Sequence, residues 1–355
     1  VTNAAAIVTR FPRTCVWDIT NACNLRCLHC ELEAGERDEN ELSMPRMLEL
    51  AGELKQAGCQ NVSLTGGEPL LRRDWPELAR RLADLGIRVK IVTNGILVDP
   101  PTVDRMAEAG VMGVSVSLDG LREAHDALRV PAAPMGSRFD AAIGAIEILV
   151  RSPLRTAVIT QIHRRNIDDL DGMYGLLASL GVDAWQVQLA FPLGRLLRSS
   201  MDLLIDPSRL PWLHGKLAAF ARDGRVPIVV ADNIGYYARE EPILRRGTGG
   251  MSSFWMGCMA GCLAVSICSN GDVKGCPSHP RPFVVGNVLR EPFGVIWADA
   301  GRFAYNTQWR EELLEGRCAS CPFRRVCRAG CTTMAWAVTG TIYDNPFCVR
   351  RASPP

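Results

Sequence analysis

The sequence predicts an α/β protein in which a partial, TIM-like (β/α)6 barrel is followed by a smaller cysteine-rich domain. Two observations carry that expectation. Between residue 14 and about residue 232, short β-rich runs alternate with amphipathic stretches, the pattern of repeated βα units around a parallel sheet. The 14 cysteines are spread unevenly: three are Cys23, Cys27 and Cys30, nine lie from Cys258 to Cys348, and none falls between Cys59 and Cys258. A length of 355 residues suits one large unit plus one small one. The expected boundaries are 1–232 for the barrel, 233–257 for a linker or lid, and 258–355 for the cysteine-rich domain.

Taken in order, the expected strands are Cys15 to Ile19, Val62 to Thr65, Val89 to Thr93, Val114 to Leu118, Thr156 to Thr160, Trp185 to Leu189 and Val226 to Ala231. Between the first two, Ser43 can cap a helix with Pro45 in its first turn, and Leu48, Leu50 and Leu54 recur near helical spacing. Asp74, Asp140 and Asp206 can open later helices in the same way. In such barrels chemistry belongs on the loops after the strands. Cys23 to Cys30 follow the first strand, Gly66-Gly67-Glu68-Pro69 the second, Asn94-Gly95 the third and Asp119-Gly120 the fourth. Asn233 to Gly257 holds Gly235, Pro242, Gly247, Gly249 and Gly250, and Asn270-Gly271 is a hairpin signal in the cysteine-rich part.

Composition narrows the function classes. With 22% charged and 47% hydrophobic residues, disorder is excluded, and a net charge of +2 gives no field to gather nucleic acid or an anionic membrane. No apolar run is long enough to span a bilayer, and the first residues do not read as a secretory signal, so a cytoplasmic protein is expected. In that reducing compartment clustered cysteines indicate metal or redox chemistry before disulfides. Cys15 and Cys59, each beside an apolar segment, read as core residues.

Cys23-x3-Cys27-x2-Cys30 supplies three thiols, one short of closing a cubane iron–sulfur cluster, so one iron would remain open. Zinc would want a fourth local ligand, and in an extended loop His29 points away from Cys30. The segment CNLRCLHC resembles the signature of the radical S-adenosylmethionine (SAM) superfamily, with His29 where an aromatic residue is usual. That resemblance implies a SAM-binding [4Fe-4S] cluster on Cys23, Cys27 and Cys30. It also implies that Gly66, Gly67, Glu68 and Pro69 meet the methionine ammonium of SAM, and that Ser117 and Arg129 meet its ribose and carboxylate. Asn94 reads as a turn residue.

Cys318-x2-Cys321-x5-Cys327-x3-Cys331, then Cys348, preceded by Cys258 and Cys276, resembles the SPASM domain of radical SAM maturases. The resemblance implies two auxiliary [4Fe-4S] clusters, one on Cys318, Cys321, Cys327 and Cys348. The other would take Cys258, Cys276, Cys331 and one of Cys262 and Cys268. Cys262 is preferred, since Cys268 lies in a strand two residues before the hairpin turn; a three-cysteine cluster with an open iron is the alternative. Structural zinc is the competing reading for this region, and a non-enzymatic zinc module the competing function.

The implied activity is that of an oxidoreductase or maturase: a 5′-deoxyadenosyl radical removes a substrate hydrogen and auxiliary clusters accept an electron. The expected reaction is oxidative modification of a peptide, a cross-link or dehydrogenation; the alternative is dehydrogenation or decarboxylation of a small molecule, an aminosugar alcohol or a tetrapyrrole. A flavodoxin- or ferredoxin-type donor is the implied partner. Few residues precede Cys23, so a peptide substrate is expected to need a separate leader-recognition protein. Pro277 stands where the sulfatase-maturing branch has an aspartate base. Asp232, Tyr236 and Tyr237, where barrel meets linker, are placed either to meet a substrate or to form a hinge with buried tyrosines.

Overall fold

The computed structural model describes residues 10–246 and 253–352. Its frame is a run of parallel strands in sequence order: β1 (Thr14–Asp18), β2 (Asn61–Thr65), β3 (Arg88–Thr93), β4 (Val111–Ser117), β5 (Arg155–Ile162), β6 (Ala184–Leu189) and β7 (Ile228–Val230). The intervening helices are α1 (Met44–Gln56), α2 (Trp75–Asp84), α3 (Pro100–Glu108), α4 (Arg122–Leu128) with α5 (Arg138–Leu149), α6 (Leu170–Leu180), and α7 (Gly194–Ser199) with α8 (Leu210–Asp223). This is the α/β partial barrel that the alternation predicts. β7 is shorter than the expected Val226 to Ala231, because Pro227 has no N–H for the ladder.

Strand alternation divides the sheet into two faces. Trp17, Leu64, Ile91, Val116, Val158 and Val187 are fully buried in the apolar core, each worth about 1.5–3 kcal/mol of burial. Their neighbours Asp18, Thr65, Val92, Ser117, Gln161 and Gln188 line a cavity instead. One face therefore holds the fold together, and the other is polar and builds a site.

Helix starts differ in detail from the expectation. Ser43 and Asp74 precede α1 and α2 but make no side-chain cap, leaving Pro45 and Pro76 in their first turns as the start signals. Ser137, not Asp140, caps α5, its hydroxyl accepting from the Asp140 N–H. Asp206 caps the 3-10 turn Pro207–Arg209, which leads into α8.

The cysteine-rich part shares the barrel's sheet. β8 (Ala264–Ile267) pairs in parallel with β1 on the side away from β2, and β9 (Asp272–Lys274) and β10 (Gly286–Asn287) extend the sheet antiparallel. The β8–β9 turn closes with Gly271 N–H donating to the Cys268 carbonyl at 2.9 Å, so Ser269 and Asn270 are its central residues, one position earlier than the Asn-Gly pair suggests. Within 233–257, a helical turn at Glu241–Leu244 is fastened by the Trp255 N–H donating to Glu241 Oε1 at 2.8 Å; Gly247, Gly249 and Gly250 lie outside the described residues.

Candidate active site

The loop after β1 carries the first three cysteines and is tied down by main-chain bonds to the end of α4. Arg26 N–H donates to the Val130 carbonyl at 2.6 Å and Leu28 N–H to the Leu128 carbonyl at 3.0 Å. Arg195, next to the first residue of α7, clamps the same loop: its guanidinium donates to the carbonyls of Cys27 and Ala34, both at 2.8 Å, and its N–H to the Cys30 carbonyl at 2.9 Å. Cys27 to Cys30 form a turn, with Cys30 N–H on the Cys27 carbonyl at 3.2 Å. The extended-loop expectation therefore fails, and His29 faces the same cavity as Cys30. Cys23, Cys27 and Cys30 all line that cavity, about 250 Å³ in volume. Burial pushes the bare thiols of Cys23 and Cys27 up to about 11 and about 12.

Opposite the thiols, Asp119 at the end of β4 gathers a buried polar network. Its Oδ2 lies 2.7 Å from Arg129 Nη2 and 3.0 Å from His29 Nε2, and its Oδ1 accepts from the Gln161 N–H at 2.8 Å. Burial would raise this carboxyl, but the Arg129 guanidinium and His29 outweigh it and hold it well below the usual carboxylate range. Arg129 follows the last residue of α4, so that helix delivers the cation to the cavity.

Gly66 and Gly67 let the end of β2 press against the β1 loop. A Cβ on Gly66 would lie 2.2 Å from the Thr20 carbonyl oxygen, and one on Gly67 2.2 Å from that of Ala22. Gly67 and Glu68 N–H groups then donate to the Thr20 and Ala22 carbonyls, both at 2.8 Å. The Glu68 side chain is fully buried: Oε1 accepts from Thr93 Oγ1 at 2.8 Å and Leu70 N–H at 3.2 Å, and Oε2 from Asn94 N–H at 2.8 Å. Burial outweighs these bonds and pushes its pKa up to about 7. Gly66, Gly67, Ser117 and Arg129 line the cavity, as does Asn94, while Glu68 and Pro69 lie behind it.

The nine later cysteines fall into two quartets and a single thiol. Burial, then the proximity of Cys258, raises Cys262, Cys276 and Cys331. In the other quartet burial, then Cys348, Cys318 and Cys321, raises Cys327. Cys268 is pushed up to about 12 by burial, and its charged neighbours are Lys274, Asp18 and Asp272 rather than any thiol. Among the described residues no three His, Cys, Asp or Glu side chains converge on one metal ion.

A second cavity, about 710 Å³, adjoins the first and shares Asp18, Glu31, Leu32 and Gly66 with it. Barrel loops form one wall, and Cys268, Lys274, Ser278, Arg281 and Trp336 the other. Glu31 Oε1 accepts from Ser278 Oγ at 2.9 Å across the junction. Pro277 lines the smaller cavity and brings no acid or base there. Asp232, Tyr236 and Tyr237 line neither of these cavities: Tyr236 Oη accepts from the Cys331 N–H at 2.7 Å and donates to the Asp232 carbonyl at 2.9 Å, and the Tyr237 ring stacks on Phe323 at 4.3 Å.

Sequence reasoning missed the roles of His29, Asp119 and Arg195. Asp119 had a signal in its place directly after a predicted strand; Arg195 had none, since its targets are carbonyls more than 160 residues away.

Comparison with known proteins shows the family. Residues 17–177 match the radical SAM superfamily model, and residues 258–322 match SPASM, an iron–sulfur cluster-binding domain. The chain is 31% identical to an AdoMet-dependent heme synthase of Methanosarcina barkeri over 97% of its own length and 98% of the relative's. It is 32% identical to the mycofactocin maturase MftC of Mycolicibacterium smegmatis, over 94% and 81%. Its fold superposes on anSMEcpe with bound AdoMet (TM-score 0.74, 15% identity, 95% of this chain and 94% of that one). It superposes equally on Streptococcus suis SuiB bound to S-adenosylmethionine (TM-score 0.74, 19% identity, 95% and 76%). With three thiols and a glycine cradle facing one cavity and two cysteine quartets beyond it, the chain belongs to the radical SAM superfamily with a carboxy-terminal SPASM domain, and it is a radical SAM enzyme.

Proposed function

We propose that this enzyme carries out an oxidative modification of a peptide, a cross-link or a dehydrogenation. The observation that supports this is the lining of the larger cavity, where the carboxylates Asp18, Glu31, Glu33, Asp38 and Asp272 outnumber the cations Lys274 and Arg281. A peptide backbone brings N–H donors that such a wall accepts, whereas a polycarboxylate finds only two cations there; Asp18 and Glu31 are themselves raised by burial, Glu31 to about 7.

In this reading Cys23, Cys27 and Cys30 hold the SAM-binding [4Fe-4S] cluster; Cys258, Cys262, Cys276 and Cys331 hold one auxiliary cluster, and Cys318, Cys321, Cys327 and Cys348 the other. Together SAM and its cluster would supply a 5′-deoxyadenosyl radical able to take a hydrogen atom from the substrate. The protein's own part is positional. Arg129, fixed by Asp119, offers a cation to the SAM carboxylate; Gly66 and Gly67 offer main chain at the cavity wall; Ser117 offers a hydroxyl to the ribose. Asp18 and Glu31, at the junction of the two cavities, orient a substrate donor beside the reacting carbon. The barrel is taken as 1–232, the connecting segment as 233–257 and the SPASM domain as 258–355. A reducing cytoplasm and a flavodoxin- or ferredoxin-type electron donor complete the proposal.

A second reading, turnover of a tetrapyrrole, is favoured by the 31% identity to the AdoMet-dependent heme synthase over nearly the whole chain. The two separate in one experiment. Anaerobically reconstituted protein with SAM and a reductant is given either iron coproporphyrin III or short peptides encoded near its gene, and 5′-deoxyadenosine and substrate mass are followed. A peptide losing hydrogen supports the proposal; a porphyrin losing carboxyl groups with every peptide intact overturns it.

A further inference from the structure

The cysteines of the first auxiliary quartet share a local feature absent from the rest of the cysteine-rich region. Each follows a glycine: Gly257-Cys258, Gly261-Cys262, Gly275-Cys276 and Gly330-Cys331. In every case a large side chain fills the space a Cβ would need. Arg328 Cδ lies 3.1 Å from that point at Gly257, the Phe303 ring 2.4 Å at Gly261, Tyr305 Oη 2.1 Å at Gly275 and the Tyr236 ring 2.2 Å at Gly330. Arg10 also reaches this region, its Nε donating to the Gly261 carbonyl at 2.8 Å.

Three of these neighbours carry buried donors with no acceptor among the described residues: Arg10 Nη2, the Tyr305 hydroxyl, which meets the Gly275 main chain only through its oxygen, and Arg328 Nε. Leaving a buried donor unpaired is unfavourable, so three around one quartet call for an acceptor. The charged neighbours of Cys262 are Arg10 and Arg328, and Tyr305 lies beside Cys258, Cys276 and Cys262. The thiolates and sulfides of an iron–sulfur cluster are such acceptors, and donors to them favour the reduced, more negative state. The first quartet has carboxylates near it as well, Glu31 and Asp232 beside Cys276 and Asp232 beside Cys331, while beside the second only Asn345 Nδ2, in the residue whose main chain meets Cys318, is such a donor among the described residues. Cys318 has the Asp344 carboxylate as its neighbour, held by Arg351 at 2.8 Å.

We infer that Arg10, Tyr305 and Arg328 donate hydrogen bonds to the sulfur atoms of the cluster on Cys258, Cys262, Cys276 and Cys331, and so make it the more easily reduced of the two auxiliary clusters. This rests on the ligand assignment proposed above. An electron released by a substrate radical in the adjoining cavity would then settle on this cluster, its oxidised form taking up one electron, before leaving to an external acceptor of flavodoxin or ferredoxin type.

The test is a potentiometric titration of the holoenzyme followed by electron paramagnetic resonance, with iron counted in each sample. Tyr305→Phe removes only the hydroxyl, and Arg328→Met removes a donor that Arg328→Lys partly restores. The expected result is a more negative midpoint for one auxiliary signal, an unchanged midpoint for the other, and partial recovery in Arg328→Lys. Full iron with both midpoints unmoved, or both moved equally, overturns the inference. Should Tyr305→Phe lose iron, the Arg328 pair decides alone. Failure of the underlying assignment looks different: Cys258→Ser and Cys262→Ser would then keep full iron and every signal.

Discussion

Asp119 and Arg129 form a buried ion pair, Oδ2 to Nη2 at 2.7 Å, on the wall of the cavity that faces Cys23, Cys27 and Cys30. The carboxylate comes from the end of β4 and the guanidinium from the end of α4, and His29 reaches the same oxygen from the cysteine loop. One buried anion thus fixes three separate segments around the site.

Removing the cation leaves that anion unpaired. Arg129→Met is expected to destabilise the protein by about 3–5 kcal/mol and to weaken SAM binding, while Asp119→Asn with Arg129→Met should recover much of the stability and none of the binding. Anaerobic denaturant melts and SAM calorimetry read the two effects separately. Equal SAM affinity in wild type and Arg129→Met would remove Arg129 from the binding role.

Glu68 sets a pH dependence. Its carboxyl is raised to about 7 by burial, above an unfolded value of about 4.3, so the unfolded state binds fewer protons between those two values. Stability should be highest at the acidic end of that window and fall as pH rises toward 7, by about 4 kcal/mol at most. Glu68→Gln has no such titration. Unfolding free energies measured from pH 5 to pH 7.5 should slope downward in wild type and be flatter in the variant; parallel slopes would contradict the expectation.

The glycine cradle has no room for a methyl group. Gly67→Ala would set a carbon 2.2 Å from the Ala22 carbonyl oxygen, forcing the cysteine loop outward by roughly 1 Å to restore ordinary contact. Loss of one cluster's iron with the auxiliary iron retained is the expected readout, together with loss of 5′-deoxyadenosine formation. Unaltered iron and cleavage would mean that the loop yields without consequence.

Cys262 and Cys268 should behave oppositely. Cys262→Ser is expected to lose iron or change an auxiliary-cluster spectrum, because Cys262 stands with Cys258. Cys268→Ser should keep its iron, because Cys268 lines the larger cavity beside Lys274. The reverse pattern in parallel iron assays would transfer the ligand role to Cys268.

The barrel and the cysteine clusters were legible in sequence because local rules write them: strand alternation has a period of two, and cluster thiols recur within a few residues on one loop. Val16 to Asp18 or Val114 to Ser117 could be read as strands with no knowledge of their neighbours. The glycine before each cysteine of the first quartet was equally readable, and it separates Cys262 from Cys268, which follows Ile267.

What only the tertiary structure decided involves partners far apart in the chain. His29, Asp119 and Arg129 meet because β4 and α4 end beside the β1 loop, and Arg195 reaches Cys27 across 168 positions. The pairing of β8 with β1, which joins the cysteine-rich part to the barrel, is also invisible locally, since a strand's sequence sets its faces but not its neighbour. The Glu68 carboxyl shows the same division. Its motif marks the loop, but folding sets the side chain against Thr93 and Asn94, because a buried carboxyl needs more donors than the local Leu70 N–H and the end of β3 supplies them.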